Sequence, residues 1–229
     1  MKKKITVLTG AGISAESGIK TFRDSGGLWE DHRVEDVASP EGWARDKKLV
    51  LEFYNQRRRQ LLECKPNRAH FALLELENKY EVTVVTQNVD DLHERGGSTN
   101  VIHLHGELLK MRSSVDENLI YDSTGDIQVG DKCEKGSQLR PHIVWFGEAV
   151  PKIEDAVEVV TEADILIVIG TSLVVYPAAG LINYSKYEIP KWLIDPNDMQ
   201  LPRIPNLKFI NEKATIGVDY LVKLLLTDA

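Results

Sequence analysis

The chain has 229 residues, with 42% hydrophobic and 28% charged side chains and a formal net charge of −7. That length supports one large domain carrying a smaller inserted lobe, and that composition is ordinary for a soluble globular protein. No apolar run approaches the ~18 residues of a bilayer span, a negative charge disfavours general phosphate neutralisation, and the two cysteines, Cys64 and Cys133, form no Cys-x-x-Cys pair. Membrane and nucleic acid are therefore not expected as partners, and neither a disulfide framework nor a thiolate metal site is expected.

The basic start, Met1 to Lys4, is followed by an apolar segment only a strand long, so no signal peptide is expected and the cytoplasm is the expected compartment. The first strand, Ile5 to Leu8, runs into "TGAGISAESGIKTFR", residues 9–23. Gly10, Gly12 and Ala15 have the spacing of a dinucleotide-binding turn, in which glycines permit close backbone approach and N–H groups at a helix start attract a pyrophosphate; a plain glycine turn is the competing reading. Gly18, Gly26 and Gly27 then break the helix, and no second strand ending in an acid follows at the distance a redox carrier's ribose requires. About 70 residues separate this strand from the next, more than one crossover needs, and they hold helical patterns at Lys47 to Glu63 and Asn67 to Asn78. Within "FYNQRRRQ", Tyr54 and Arg57 share a helix face, while Arg58 and Arg59 read as a basic surface paired with Glu52 and Glu63.

The second strand, Val82 to Thr86, leads to "TQNVDDLHERGG", where Gln87, Asn88 and Asp90 are placed either to bind ribose hydroxyls and a carboxamide or to cap a helix. "VIHLHGE" sets His103 and His105 on one face of an expected strand, and a histidine at a strand end before a glycine is readable as a general base or as a structural histidine. Residues 107–139 read as a small loop-rich lobe, in which Asp122, Asp126 and Asp131 are expected as solvated acids. The third strand, Ile165 to Ile169, ends at Gly170, Thr171 and Ser172; the fourth, Trp192 to Ile194, ends at Asp195; and residues 219–226 read as a closing amphipathic helix. The fold expected from this alternation is α/β, a Rossmann-like parallel sheet with helices on both faces plus an inserted small lobe. Residues 1–31, 76–106 and 141–229 are assigned to the sheet domain, and 32–75 and 107–140 to the lobe.

Taken in order, "GAGISAESGIKTFR", "TQNVDDLH", "HLHGE", "PHIVWFGE", "GTSLVVYPA" and a late Asp-Pro-Asn strand end closely resemble the sirtuin family of NAD-dependent protein lysine deacylases. The resemblance covers nearly the whole chain. It implies that Gly10, Ala11, Gly12 and Ser14 hold the NAD pyrophosphate, with Ala15 beside them, and that Phe22 and Arg23 close over the reacting ribose. It also implies that Gln87 contacts that ribose, that Asn88 and Asp90 hold the nicotinamide carboxamide, and that His105 is the base. Gly170, Thr171 and Ser172 match residues at the adenosine ribose and phosphate, with looser matches at Asn197 and Ala214. Asp195 stands where the family most often has Asn.

In the family's mechanism the acyl-lysine oxygen attacks the ribose carbon as nicotinamide leaves, giving an alkylamidate, so NAD is consumed. The expected products are nicotinamide and O-acyl-ADP-ribose, and the expected partners are acyl-lysine proteins or peptides. Val144, Trp145, Phe146, Gly147 and Glu148 resemble the segment that pairs with the substrate peptide, an edge strand with core aromatics being the competing reading. Many sirtuins bind zinc through two Cys-x-x-Cys pairs in the small lobe; this lobe offers Cys133 alone, so no zinc is expected. Tyr54 and Arg57 match the Tyr-x-x-Arg pair of the subclass that removes succinyl and malonyl groups, so desuccinylase and demalonylase activity is expected beside deacetylation. A mono-ADP-ribosyltransferase on the same scaffold is the nearer alternative; a redox NAD enzyme and a noncatalytic NAD sensor are more distant ones. The sequence leaves the oligomeric state open.

Overall fold

Side chains of a strand alternate between two faces, and a parallel sheet buries both, so its strands read as continuous apolar runs. The computed structural model describes residues 2–20, 28–29, 32–171, 173–198 and 204–227. In chain order the elements are β1 (Lys4–Thr9), β2 (Leu28–Trp29), β3 (His32–Arg33), α1 (Val34–Val37), α2 (Pro40–Arg45), α3 (Lys47–Glu63), α4 (Arg68–Leu76), β4 (Glu81–Thr86), α5 (Leu92–Arg95), β5 (Val101–His103), β6 (Gly106–Ser113), β7 (Ile120–Asp122), β8 (Leu139–Ile143), α6 (Ile153–Glu162), β9 (Ile165–Ile169), β10 (Lys191–Ile194), β11 (Leu207–Ile210) and α7 (Ala214–Thr227).

Six strands form one parallel sheet in the order β11-β10-β9-β1-β4-β5. Ile5, Val7, Val82, Val84, Ile165 and Ile167 face α4 and α7, meeting Ala69, Leu73 and Leu76 of one and Val218 and Leu221 of the other. Leu8, Val85, Leu166, Val168 and Leu193 face the opposite side, where Ala156 and Val160 of α6 and Leu181 and Ile182 of a 3-10 segment cover them. The fold is thus the Rossmann-like α/β sheet with helices on both faces. The strand order reverses between β1 and β9, and ligands of open parallel sheets collect beyond the carboxyl ends of the strands at such a switch point. Among the described residues no helix is long and apolar enough to cross a membrane.

A second body is built from α1 to α3 and the antiparallel sheet β7-β6-β8. Its core joins Val37, Val50, Phe53, Tyr54 and Leu61 to Leu108, Ile143 and Trp145. A smaller cluster of Leu51, Ile127, Cys133 and Leu139 holds the loop-rich part.

Three expectations change. A lobe segment ending at residue 75 places nearly all of α4 in the lobe, but Ala69, Ala72, Leu73 and Leu76 pack into the sheet core; Asn67 starts the helix with a capping box closed by His70. β5 ends at His103, so His105 lies beyond it rather than on the same strand face. Arg58 is not on the surface: it is 0% exposed, and its Nε donates to the Leu108 carbonyl at 3.0 Å and its Nη1 to Asn55 Oδ1 at 2.8 Å. Arg59 does lie outside, paired with Glu52 at 2.8 Å and Asp126 at 2.5 Å, and Asp122 and Asp131 are likewise exposed.

Asn55 completes the joint. Its Nδ2 donates to the Ile127 carbonyl at 3.0 Å, and its Oδ1 accepts the Ile127 N–H at 2.9 Å. Asn55→Leu strips both backbone groups of Ile127 and one donor of Arg58 of their buried partner, so it is expected to cost about 3 kcal/mol. Thermal denaturation checks this: a fall in Tm of roughly 6–12 °C is expected for a chain of this size.

Candidate active site

Two loops meet at the switch point with no space between their backbones. A Cβ on Gly12 would lie 2.5 Å from Gly170 Cα, and one on Gly170, whose φ is +60°, would lie 2.5 Å from the Ile13 nitrogen. Only glycines permit that approach. The Gly12 N–H donates to the Gly170 carbonyl at 2.9 Å and the Gly10 N–H to the Ile169 carbonyl at 3.0 Å. The N–H groups of Ile13 and Ser14 close the first of two 3-10 turns, Ala11–Ile13 and Ala15–Ser17. Four N–H groups in this run are therefore engaged within the protein, and Ala11 is the residue of Gly10 to Ser14 whose N–H takes no such partner among the described residues. The expected row of exposed donors at a helix start is reduced accordingly.

The end of β4 packs polar groups beneath that loop. Asn88 Nδ2 donates to the Gly10 carbonyl at 3.2 Å and to Ser14 Oγ at 3.3 Å, and Ser14 Oγ donates to Asp90 Oδ2 at 3.0 Å. Asp90 Oδ1 also accepts the Leu92 N–H at 3.2 Å, so the capping role holds as well. Burial pushes the Asp90 carboxyl up to about 6, against the pull of the hydrogen bonds from Leu92 and Ser14. Gln87 Nε2 donates to Thr171 Oγ1 at 3.2 Å, tying the end of β4 to the end of β9.

The two histidines are unequal. His105 Nδ1 lies 3.0 Å from the Gln87 carbonyl, which can only accept, so Nδ1 carries the proton and Nε2 the lone pair. Burial lowers the His105 pKa and keeps the ring neutral. His103 places Nδ1 3.2 Å from the Asn88 carbonyl and Nε2 2.7 Å from Glu94 Oε1. Burial opposes its charge, but the hydrogen bond and charge of Glu94 outweigh burial and raise its pKa. His103 lies between two acceptor oxygens that favour its charged form; His105 is held by one, and its neutral form is favoured.

His105 also touches the second body. Its carbonyl accepts the Val144 N–H at 2.9 Å, and Gly106, with φ +83°, passes so close to β8 that a Cβ would lie 2.1 Å from the His142 carbonyl oxygen. Residues 144–148 follow β8 as a turn, not as the expected edge strand, because Gly147 adopts φ +90° and the Glu148 N–H returns to the Trp145 carbonyl at 3.0 Å. The Trp145 N–H is held by Glu148 Oε2 at 2.8 Å and the Phe146 N–H by the Ala38 carbonyl at 3.0 Å. A peptide pairing along this turn must rely chiefly on its carbonyls. Trp145 is buried in the core and Phe146 is 49% exposed.

Tyr54 is fully buried, and its oxygen accepts the Trp145 indole N–H at 3.1 Å. Burial raises its pKa, with Arg140 and Arg57 pulling the other way. The Arg57 guanidinium lies 3.4 Å from the Phe53 ring centroid and donates to the Phe53 carbonyl at 2.6 Å. At the β10 end, Asp195 is buried and its Oδ1 accepts both the backbone N–H and Nδ2 of Asn197 at 2.9 Å, while Ala214 is buried at the start of α7. Phe22, Arg23 and Ser172 lie outside the described residues.

Sequence reasoning missed several supports. Glu16 caps α7 through the Thr215 N–H at 3.1 Å and Thr215 Oγ1 at 2.9 Å, joining the glycine loop to the last helix. Buried His93 meets Thr9 Oγ1 at 3.0 Å and stands edge-on to His70 at 5.0 Å. These pairs span 84 residues or more in sequence, or join separate helices, and no local pattern announces them. Arg58 did have a signal, since it lies on the helical stripe of Leu51, Tyr54 and Leu61.

A model described as the Sir2 family matches residues 10–177. The chain is 53% identical over 224 residues to a protein of Helicobacter pylori named NAD-dependent protein deacylase, covering 98% of each. A solved Sir2 homologue in complex with NAD shares 41% identity at a TM-score of 0.89, covering 99% of this chain and 91% of that one. A mutant Sir2 homologue in complex with 2'-O-acetyl-ADP-ribose shares 40% identity at a TM-score of 0.88, covering 99% and 93%.

The raised pKa of Asp90 fixes the sign of one pH dependence. The native chain holds this proton more tightly than the unfolded chain does, so the contribution is favourable at low pH and is lost as pH rises from about 4 through about 6. Buried His70, lowered to about 4, and His93, also lowered, work the opposite way: their contribution is lost as pH falls below about 6.5. Subtracting wild-type from Asp90→Asn stability isolates the carboxyl. The difference is expected to grow in the variant's favour between pH 4 and 7 and to level off near 3 kcal/mol, about two pKa units, in denaturant titrations at each pH.

Proposed function

The chain belongs to the Sir2 family, and from that premise we propose that it is an NAD-dependent protein-lysine deacylase that removes acidic acyl groups, succinyl and malonyl, as well as acetyl. The observation that carries the reading is the position of His105, a neutral imidazole held by the Gln87 carbonyl and next to the turn at Val144. The residues present fit NAD. Glycines bring the two loops together at the switch point, where a bulkier residue would part them, and a buried amide, hydroxyl and carboxyl converge just below.

When bound, NAD supplies an activated ribose with nicotinamide as leaving group. Asn88 and Asp90 hold the carboxamide, and their own bonds to Gly10 and Ser14 fix their geometry before any ligand arrives. His105 Nε2 takes the proton of a ribose hydroxyl, and Nδ1–H stays on the Gln87 carbonyl throughout, so the ring cannot turn away as it becomes charged. Gln87, anchored on Thr171, lines the nicotinamide ribose, and Thr171 lies on the side of the adenosine ribose and phosphate. Phe22 and Arg23 are assigned, by resemblance, to shielding the ribose from water. The acyl-lysine arrives along residues 144–148. Its acyl chain runs towards Tyr54 and Arg57, which grip a terminal carboxylate through a phenol and a guanidinium.

A mono-ADP-ribosyltransferase would use the same ribose with a different acceptor; the position of Tyr54 beneath the peptide turn favours an acyl chain. An acyl-peptide panel with NAD, read by mass spectrometry for nicotinamide and O-acyl-ADP-ribose, tests the proposal. His105→Ala is expected to lower kcat by about 10²–10⁴-fold on every acyl group. Arg57→Met is expected to lower kcat/KM for succinyl-lysine by about 10²-fold while acetyl-lysine changes little. Transfer of ADP-ribose to the protein instead of to the acyl group would reject deacylation, and an equal effect of Arg57→Met on both acyl groups would reject the acidic pocket.

We further propose that the small lobe is zinc-free. The support is its single thiol, Cys133, packed with Leu51, Ile127 and Leu139 and hydrogen-bonded to Ser113 at 3.3 Å, together with the Asn55–Ile127 joint that ties the loop down. Elemental analysis of protein purified without chelator is expected to find zinc far below one equivalent; stoichiometric zinc would reject this.

A further inference from the structure

β6 and β8 set two arginines against each other. Arg112 and Arg140 are directly paired across the two strands, a position in which like charges repel. One carboxylate answers both. Arg140 grips it as a fork, Nη1 donating to Glu148 Oε1 at 2.7 Å and Nη2 to Oε2 at 3.1 Å. Its Nη2 also donates to the Ile143 carbonyl at 2.9 Å, and its guanidinium carbon lies 3.2 Å from the Trp145 ring centroid. Arg112 has only what remains, one bond from Nη2 to Glu148 Oε2 at 3.3 Å. Glu107, on the same strand as Arg112, is paired with Lys110 at 2.8 Å. Two guanidiniums therefore share one carboxylate, and among the described residues no second one reaches either.

The surplus charge sits on Arg112. A guanidinium carries five N–H groups, and the bond to Glu148 uses one of them. Nε and Nη1 have no hydrogen-bond partner among the described residues, yet neither is sealed from solvent as the Nε of Arg140 is. The Arg112 side chain is nevertheless only 11% exposed, so water screens its charge poorly and a second anion would be well placed to offset it. Its place is beside the turn at 144–148, since the Glu148 oxygen that it meets also accepts the Trp145 N–H at 2.8 Å. We propose that Arg112 is a specificity-determining residue for the substrate peptide, and that its remaining N–H groups take the carboxylate of an Asp or Glu flanking the acyl-lysine. This rests on the reading of that turn as the place where the acyl-lysine peptide binds.

The test uses acetyl-lysine peptides, whose acyl group carries no carboxylate, with Asp or Asn placed in turn at each position flanking the lysine, and reads nicotinamide release. At one of these positions wild type is expected to favour Asp over Asn by about five- to tenfold in kcat/KM, through KM. Arg112→Gln is expected to bring that ratio to about one, and Arg112→Lys, which keeps the charge, to preserve most of it. No preference in wild type, or a preference that survives Arg112→Gln, overturns the inference. An equal fall on Asp and Asn peptides makes Arg112 a brace for Glu148 and overturns it too. Neutral peptides carrying succinyl-lysine separate the other source of a carboxylate: if Arg112→Gln lowers the succinyl-to-acetyl ratio and leaves the Asp-to-Asn ratio alone, the anion belongs to the acyl chain and the proposal fails. If no acyl peptide releases nicotinamide from NAD, the deacylase reading itself falls, and this inference with it.

Discussion

The contact between Gly12 and Gly170 sets the site. Two loops at the ends of β1 and β9 approach until a Cβ on either glycine would overlap the other's backbone, and the Gly12 N–H closes the gap on the Gly170 carbonyl. That approach fixes the Gly10 carbonyl, on which Asn88 rests, and Ser14, which Asn88 and Asp90 share. Glu16, further along the same loop, reaches α7 and ties the arrangement to the helix that covers β10. The close approach of backbone is thus used first by the protein on itself. The surface a nucleotide meets is what remains after most of the loop's N–H groups have been engaged.

Much of this fold was legible because the signals were local. β1, β4, β9 and β10 appear as apolar runs, and α3 spans Lys47–Glu63, as its pattern predicts. The order of the glycine turn, the Gln-Asn-x-Asp strand end and the His-Gly pair placed the site at the carboxyl ends of the strands. What misled was inference from chemical type. Arg58 reads as a surface cation by composition, but its place on the apolar stripe of α3 sends it inward to serve two carbonyl-type oxygens. Residues 144–148 are open to reading as an edge strand, yet Gly147 and the return of Glu148 bend them into a turn. The α4 boundary failed because a helix amphipathic enough to cover a lobe covers a sheet equally well; only the packing decides.

His103 and His105 show how two like residues two positions apart acquire opposite chemistry. The difference lies in which oxygen each ring nitrogen faces. A carboxylate at Nε2 and a carbonyl at Nδ1 both favour the charged form of His103, in which each ring nitrogen donates, and the contact at Nδ1 ties the ring to the Asn88 backbone. His105 faces one carbonyl only, and burial removes the charge that a second partner would have favoured. The end of β5 between them is what allows the two environments, since a continued strand would have turned both rings towards the same partners.

His105 therefore sits on the seam between the two bodies and belongs to both. Its side chain is held by the end of β4 in the sheet domain, its carbonyl by Val144 at the end of β8, and the next residue, Gly106, crosses β8 at a distance no side chain tolerates. Moving the second body relative to the sheet by even part of an ångström would have to stretch the bond to Val144 or drag the imidazole off Gln87. The turn at 144–148 and the imidazole of His105 are consequently positioned by one stretch of backbone. The distance between that turn and the imidazole is set by covalent geometry rather than by the mutual diffusion of two domains, and the core of Phe53, Tyr54, Leu108, Ile143 and Trp145 keeps that stretch rigid.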